Sequence, residues 1–402
     1  MLERYNKKLF YISLDEDAIL FSKFSMKPIV LKKFKGTLKD YYTKTNITIF
    51  KENGIIKNIT KNPLKKNKLL NQIGFNSTDS CNLKCKYCLK HEKNNNSKAI
   101  PDEIKKSIKK ILSLFSDCKN DIKVEISGGE PFLALKEINI FSELLKNEIK
   151  EKFKKKVNIQ YNIITNGTIL NKEIITFLKI QDVDLGISLD CSKVAHDKNR
   201  ITIKNNGTFD IILKNIKILN SQNIKIQSLM ITVNNSNIDC FDIKELKKIM
   251  NDYNIETITF QIDKNWERTG FDLLKKFKNI MNECKQINIK YAAEAFDVLF
   301  NFIDYQNGLY NLFTNSCGFY RKDFFTINYD GKIKKCPYVN NFISKREIKK
   351  QQKKCKKCFI ESLCSGKCMT VEEDTDCYFR KILFESLLIS KKSSFPILDR
   401  KM

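Results

Sequence analysis

From residue 70 to residue 287 the chain alternates six times between a short β-branched apolar run and a longer stretch of helical periodicity. The strand-like runs are IGFNST, IKVEIS, VNIQYNIIT, VDLGISLD, IKIQSLMITV and ETITFQI. Helical patterns follow them, the first opening at Pro101–Asp102 with residues suited to a helix start. Strand–helix repeats of this length require parallel pairing through right-handed crossovers. The apolar character of the runs fits a parallel sheet covered on both sides. Six units predict an α/β fold built on a partial (βα)6 barrel, with functional loops at the C-terminal ends of the strands.

The flanks read differently. Residues 1–65 form a small α+β module: strands in LFYISL, AILFSKF and PIVLKKF, a short helix in TLKDYYTKT, and a closing turn and strand in TIFKENGIIKNI. KNPLKKNK is a basic linker into the barrel at 66–290. Residues 291–402 comprise a linker and a cysteine-dense tail with little apolar core, and such a tail needs staples.

The chain has 14 Cys and 2 His. No apolar run is long enough to cross a membrane, and the acidic, interrupted N-terminus lacks a signal-peptide pattern. A cytoplasmic location is expected, where thiols stay reduced and cysteines act as metal or cluster ligands more than as disulfides. Cys81-x3-Cys85-x2-Cys88 places three thiolates on one tight loop. Three thiolates can hold three irons of a [4Fe–4S] cube and leave the fourth open. A zinc site would need a fourth ligand nearby, and His91 is the local candidate.

This loop follows the first barrel strand. The second strand ends in Gly128-Gly129-Glu130-Pro131, the third in Thr165-Asn166-Gly167-Thr168 and the fourth in Ser188-Leu189-Asp190. Paired glycines let backbone approach a ligand closely, and Glu130 can accept from an ammonium group. Small and polar groups thus gather at one mouth.

Together these residues resemble the radical S-adenosylmethionine (radical SAM) superfamily: the CxxxCxxC loop, an aromatic before its third cysteine (Tyr87) and a GGEP strand end. The resemblance implies that the open iron chelates S-adenosylmethionine. One-electron cleavage then gives methionine and a 5′-deoxyadenosyl radical, which abstracts a hydrogen from substrate. It also implies cofactor contacts from Gly128, Gly129 and Glu130 to the methionine amino group, from Ser188 and Asp190 near the ribose, and from Asn166. Related enzymes often carry an Arg in the fifth strand to meet the cofactor's carboxylate; this chain reads Met230-Ile231-Thr232-Val233-Asn234, leaving Lys225 or Gln227 as substitutes.

The tail reads Cys317-x13-Gly331-x4-Cys336, then Cys355-x2-Cys358-x5-Cys364-x3-Cys368, then Cys377. This resembles the SPASM extension of radical SAM enzymes, which implies two auxiliary [4Fe–4S] clusters. Cys355, Cys358, Cys364 and Cys377 would ligate one; Cys317, Cys336 and Cys368 would hold the other, one ligand short. Cys118, Cys191, Cys240 and Cys284 are expected to be buried structural residues.

SPASM enzymes mostly modify peptides or proteins. The resemblance implies a precursor peptide or protein as partner, a reductase or flavodoxin/ferredoxin-like electron donor, and a Cys thioether crosslink as product. The leading module resembles a leader-peptide grip. The alternative is sulfatase-maturase-type formylglycine formation, but the Asp expected after the second SPASM cysteine is replaced by Pro337. A net charge of +27 raises an RNA-modifying enzyme as a further reading. Of 73 basic residues only 7 are Arg, and abundant Lys, Asn and Ile look like coding bias; no aromatic-interleaved basic motif occurs, so nucleic acid is not expected.

Overall fold

The structure is a computed structural model. It describes residues 2–4, 9–22, 29–35, 41, 49–50, 72–88, 98–115, 122–154, 157–263, 276–277, 279–280, 283–284, 286–293, 324–334 and 397–398. The chain divides into two compact units: Met1–Asn67 with Ala295–Cys317 and Phe342–Met402, and Lys68–Glu294 with Gly318–Asn341.

In the first unit, β1 (Leu2–Arg4), β2 (Leu9–Leu14), β3 (Asp17–Ser22) and β4 (Ile29–Leu31) form an antiparallel meander. The β2–β3 turn carries Asp15 at φ 51°, a left-handed geometry that Asp tolerates. Leu9, Leu20, Ile29 and Leu31 are buried with Tyr41, Phe50 and Leu398. Leu398 belongs to the two-residue strand Ile397–Leu398, which pairs parallel to β4. Ile49 and Phe50, expected in a turn and strand, are helical; the buried position of the Phe50 ring is set by this non-local core rather than by its own β-propensity.

The second unit holds a nine-stranded sheet. Its middle is β5 (Gln72–Asn76), β6 (Ile122–Ser127), β7 (Ile159–Thr165), β8 (Asp182–Ser188), β9 (Ile226–Val233) and β10 (Thr257–Ile262), side by side in chain order and all parallel. These are the six strands expected of a (βα)6 barrel. Helices Pro101–Leu112, Leu135–Phe153, Lys172–Ile180, Phe209–Ser221 and Ile243–Asp252 occupy the crossovers. Each end strand gains a neighbour: β11 (Lys290–Ala293) runs parallel to β10, and β12 (Phe325–Asn328) runs parallel to β5. β13 (Ile333–Lys334) turns back antiparallel on β12.

Two of the strands, β6 and β7, alternate more than the sequence suggested. Ile122, Val124, Ile126, Tyr161 and Ile163 are buried on one face, whereas Lys123 and Asn162 are exposed and Glu125 and Gln160 half-buried. In these two strands the helix-facing side carries the core and the opposite side is mostly polar, whereas β5, β8 and β9 are buried on consecutive residues toward their C-terminal ends. Phe75 stacks on Phe141 at 4.1 Å and fixes the Leu135–Phe153 helix against β5. Among the described residues no helix is long and apolar enough to cross a membrane.

Candidate active site

The loop carrying Cys81, Cys85 and Cys88 leaves the C-terminal end of β5, and all three cysteines are half-buried. Its stem zips along the end of β6. Ser77 N–H donates to Ser127 O, Gly129 N–H to Thr78 O and Glu130 N–H to Ser80 O, each at 2.9 Å. A Cβ at Gly128 would lie 2.7 Å from Thr78 O, and one at Gly129 only 2.1 Å from Ser80 O. The paired glycines thus let the chain's own backbone approach, so that the cysteine loop is seated directly on β6.

The loop itself is held by the segment after β8. Leu83 and Thr202 form an antiparallel bridge, Lys84 N–H donates to Ile201 O at 2.8 Å, and Lys86 N–H donates to Asn199 O at 3.1 Å. These contacts share one register, which sets Cys85 opposite Arg200. A third tie comes from β7. Asn166 Nδ2 donates to Asn82 Oδ1 at 2.9 Å and lies 3.8 Å from Cys81 Sγ, and Asn82 Nδ2 donates to Thr168 Oγ1 at 2.8 Å. Leu83 N–H also donates to Cys81 Sγ, at 3.4 Å. The β12–β13 hairpin adds a fourth: Tyr329 Oη donates to Asp79 Oδ2 at 3.2 Å. Its turn holds Gly331 at φ 81°, a left-handed position that favours glycine.

Two buried carboxylates knit the strand ends together. Glu130 accepts from Thr165 Oγ1 (2.7 Å), Phe132 N–H (3.1 Å) and Asn166 N–H (2.7 Å). Burial raises its pKa, and those donors oppose the rise. Asp190 accepts from Thr232 N–H at 2.9 Å and from Arg200 Nε at 3.3 Å, with Tyr87 Oη 3.5 Å away. Burial raises its pKa as well, against the opposing pull of Arg200. Ser188, the last residue of β8, is buried at the same end. His196 accepts from Asp190 N–H through Nδ1 at 3.2 Å, leaving Nε2 to donate to Thr208 Oγ1 at 3.0 Å.

Arg200 is the site residue that the sequence reading missed. It is buried, its guanidinium carbon lies 5.2 Å from the centre of the Tyr87 ring, and Nη2 donates to Thr232 Oγ1 (3.2 Å) and Met230 O (3.4 Å). A cation thus reaches the end of the fifth strand from a loop. Lys225 does not: it pairs with Glu256 at 3.1 Å on the surface, before β9 begins. The available signal was an Arg in a chain that otherwise uses Lys, since the planar fork suits buried pairs.

Burial pushes the Cys85 thiol up to about 11, and Arg200 works against that rise. Among the described residues no three of His, Cys, Asp or Glu close around a point as a single ion requires. Three half-buried thiols on one loop suit a cube in which each thiolate takes its own iron, and His91, the local candidate for a zinc ligand, lies outside the described residues. Cys191 and Cys284 are buried as expected, whereas Cys240 is only half-buried and accepts from Lys198 Nζ at 2.9 Å. Cys118, Cys317, Cys336, Cys355, Cys358, Cys364, Cys368 and Cys377 lie outside the described residues.

Comparison with known proteins agrees with this geometry. A "Cysteine-type anaerobic sulfatase-maturating enzyme" of Clostridium novyi is 34% identical over 169 residues, 40% of this chain; the chain spans 42% of that relative's length. The solved structure "Native anSMEcpe with bound AdoMet and Cp18Cys peptide" superposes with a TM-score of 0.57 at 19% identity, covering 80% of this chain and 99% of that one. Streptococcus suis SuiB bound to precursor peptide SuiA superposes with a TM-score of 0.51 at 15% identity, covering 91% of this chain and 95% of that one. At these identities the superpositions show a shared fold. Residues 75–244, from the first barrel strand to the start of the fifth crossover helix, match the model of the Radical SAM superfamily.

Proposed function

We propose that the chain is a radical SAM enzyme that modifies a ribosomally made peptide or protein, installing a Cys thioether crosslink. The observation that carries this reading is the seating of the three cysteines at the mouth of β5, tied to the ends of β6, β7 and β8. Cys81, Cys85 and Cys88 would hold the cluster, and Tyr87, Gly128, Gly129, Glu130, Asn166, Ser188 and Asp190 would surround S-adenosylmethionine. Bound there, the two would supply reductive one-electron cleavage of the sulfonium and a carbon radical that takes a hydrogen atom from the peptide. The protein's own contribution is orientation: the zipped stem and the Asn82–Asn166–Thr168 network hold the loop, and Asp190 fixes the Tyr87 face of the mouth. The seven tail cysteines would hold two auxiliary [4Fe–4S] clusters, making three in all, with a ferredoxin- or flavodoxin-like protein or its reductase as electron source. A peptide substrate is supported by the two superposed structures, each of which has a peptide bound.

The second reading is formylglycine formation on a sulfatase, supported by the relative from Clostridium novyi. Pro337 stands against it, because the base expected beside Cys336 is missing.

The deciding experiment is anaerobic reconstitution of the full chain, then reaction with S-adenosylmethionine, dithionite and a panel of Cys-containing precursor and sulfatase peptides. About twelve irons per chain, formation of 5′-deoxyadenosine, and loss of two hydrogens from a precursor peptide are expected. A Cys side chain converted to an aldehyde selects the formylglycine reading. Zinc without iron, and no 5′-deoxyadenosine, overturns both.

A further inference from the structure

The cysteine loop and the segment after β8 form a short two-stranded ribbon. The Leu83–Thr202 bridge, the Lys84–Ile201 bond and the Lys86–Asn199 bond fix one register. Cys85 and Arg200 are therefore cross-strand partners, the arrangement in which side chains of an antiparallel pair lie closest. The guanidinium lies over Tyr87, two residues further along the same loop. It is buried with one carboxylate, Asp190, whose oxygens also take the Thr232 N–H. A guanidinium forked against a carboxylate and a backbone carbonyl has little freedom to swing away. A fixed charge at low exposure acts on its neighbours with little screening by solvent.

We propose that Arg200 is a positioning residue that sets the orientation of Cys85 and Tyr87 and makes the cluster those cysteines would hold easier to reduce. The proposal rests on the reading that Cys81, Cys85 and Cys88 bind a [4Fe–4S] cluster. The step concerned is one electron passing to the oxidised cluster from a low-potential one-electron donor, which is itself oxidised; no bond forms or breaks. A positive charge beside a thiolate ligand stabilises the added electron, and Asp190, further along the same pair, opposes it.

The test is a potentiometric titration of the reconstituted full chain, followed by electron paramagnetic resonance. The relevant cluster is the signal that changes when S-adenosylmethionine is added. At a fixed potential R200Q is expected to lower the ratio of reduced to oxidised cluster on the order of tenfold, equivalent to about 59 mV for a one-electron couple. D190N should shift the ratio in the opposite direction, and R200K, which keeps the charge, should stay within about twofold of the wild type. A purely structural role would lower iron content and thermal stability but leave the potential of loaded molecules unchanged, and that result overturns the proposal. If R200Q does not accumulate as folded protein, D190N decides, and a ratio at or below the wild-type value overturns the proposal. If wild-type protein gives no signal that responds to S-adenosylmethionine, and C81A/C85A/C88A loses no iron, the cluster reading itself falls. A normal wild-type signal with an unmoved R200Q removes only the role of Arg200.

Discussion

Glu130 and Asn166 meet at 2.7 Å: the backbone N–H at the end of β7 donates to a carboxylate at the end of β6. The same carboxylate takes the Thr165 hydroxyl and the Phe132 N–H, so two strand ends and the turn between them share one anchor. E130Q keeps the shape but turns an NH2 group toward donors. Each buried donor left without an acceptor costs about 1–3 kcal/mol, so E130Q should unfold at a clearly lower temperature. A denaturant titration beside T165V checks this; additive losses would mean that the two residues do not share an anchor.

The seating of the cysteine loop depends on side-chain absence. G129A would push a methyl against Ser80 O, where the approach is 2.1 Å to backbone. Overpacking of this kind costs about 1–3 kcal/mol, and displacement of the stem should also lower iron uptake. At Gly186 the nearest atom to an added Cβ is Ile164 Cγ1, at 3.4 Å. G186A should stay within about 0.5 kcal/mol of the wild type. Comparable losses in the two variants would show that the loop is not held by this contact.

The loop has protein hydrogen bonds of its own to β6, to the residues after β7 and to the segment after β8. C81A/C85A/C88A should therefore keep its fold, with circular dichroism and melting temperature close to those of the reconstitution-free wild type. After reconstitution it should lack about four irons per chain. Collapse of the fold in the triple variant would place this domain among those that need metal to fold.

His196 is held neutral. Burial lowers its pKa well below the ordinary imidazole value, and Arg200 and Lys193 lower it further. The unfolded chain binds a proton at His196 below about pH 6.5, while the folded chain does not. Stability should be complete above that pH and fall as the solution is acidified, with a slope of up to about 1.4 kcal/mol per pH unit from this residue. In H196N, whose side-chain oxygen can still accept from Asp190 N–H, that part of the slope should vanish. Parallel melting curves from pH 7.5 to 5 compare the two, and equal slopes would assign the acid limb elsewhere.

Much of the barrel was legible because its strands are local patterns. IKVEIS was read as residues 122–127 and β6 is Ile122–Ser127; ETITFQI contains β10. The cysteine trio and the strand-end residues were legible because chemistry-bearing residue types stand at fixed spacings. What could not be read depends on pairing across long sequence distance. β12 joins β5 from some 250 residues away, and Phe50 is buried in a core that includes Leu398. Gly128 and Gly129 were recognised as sites of close approach, but only the fold shows that the Thr78–Ser80 backbone is what approaches. The partners of Arg200 were hidden for the same reason: nothing within a few residues of it announces Cys85 or Thr232.

The ribbon joining residues 83–86 to 199–202 also has a consequence for length. Its register is counted from Asp190, which is anchored to β9, through a short helix to Arg200. Deleting or inserting one residue between those points would slide the pairing by one place, exchanging faces along the ribbon and putting Asn199 or Ile201 where the guanidinium now stands. The spacing from Asp190 to Arg200 is thus as much a part of the site as the side chains themselves, and this loop should tolerate substitutions at its exposed positions far better than any change in its number of residues.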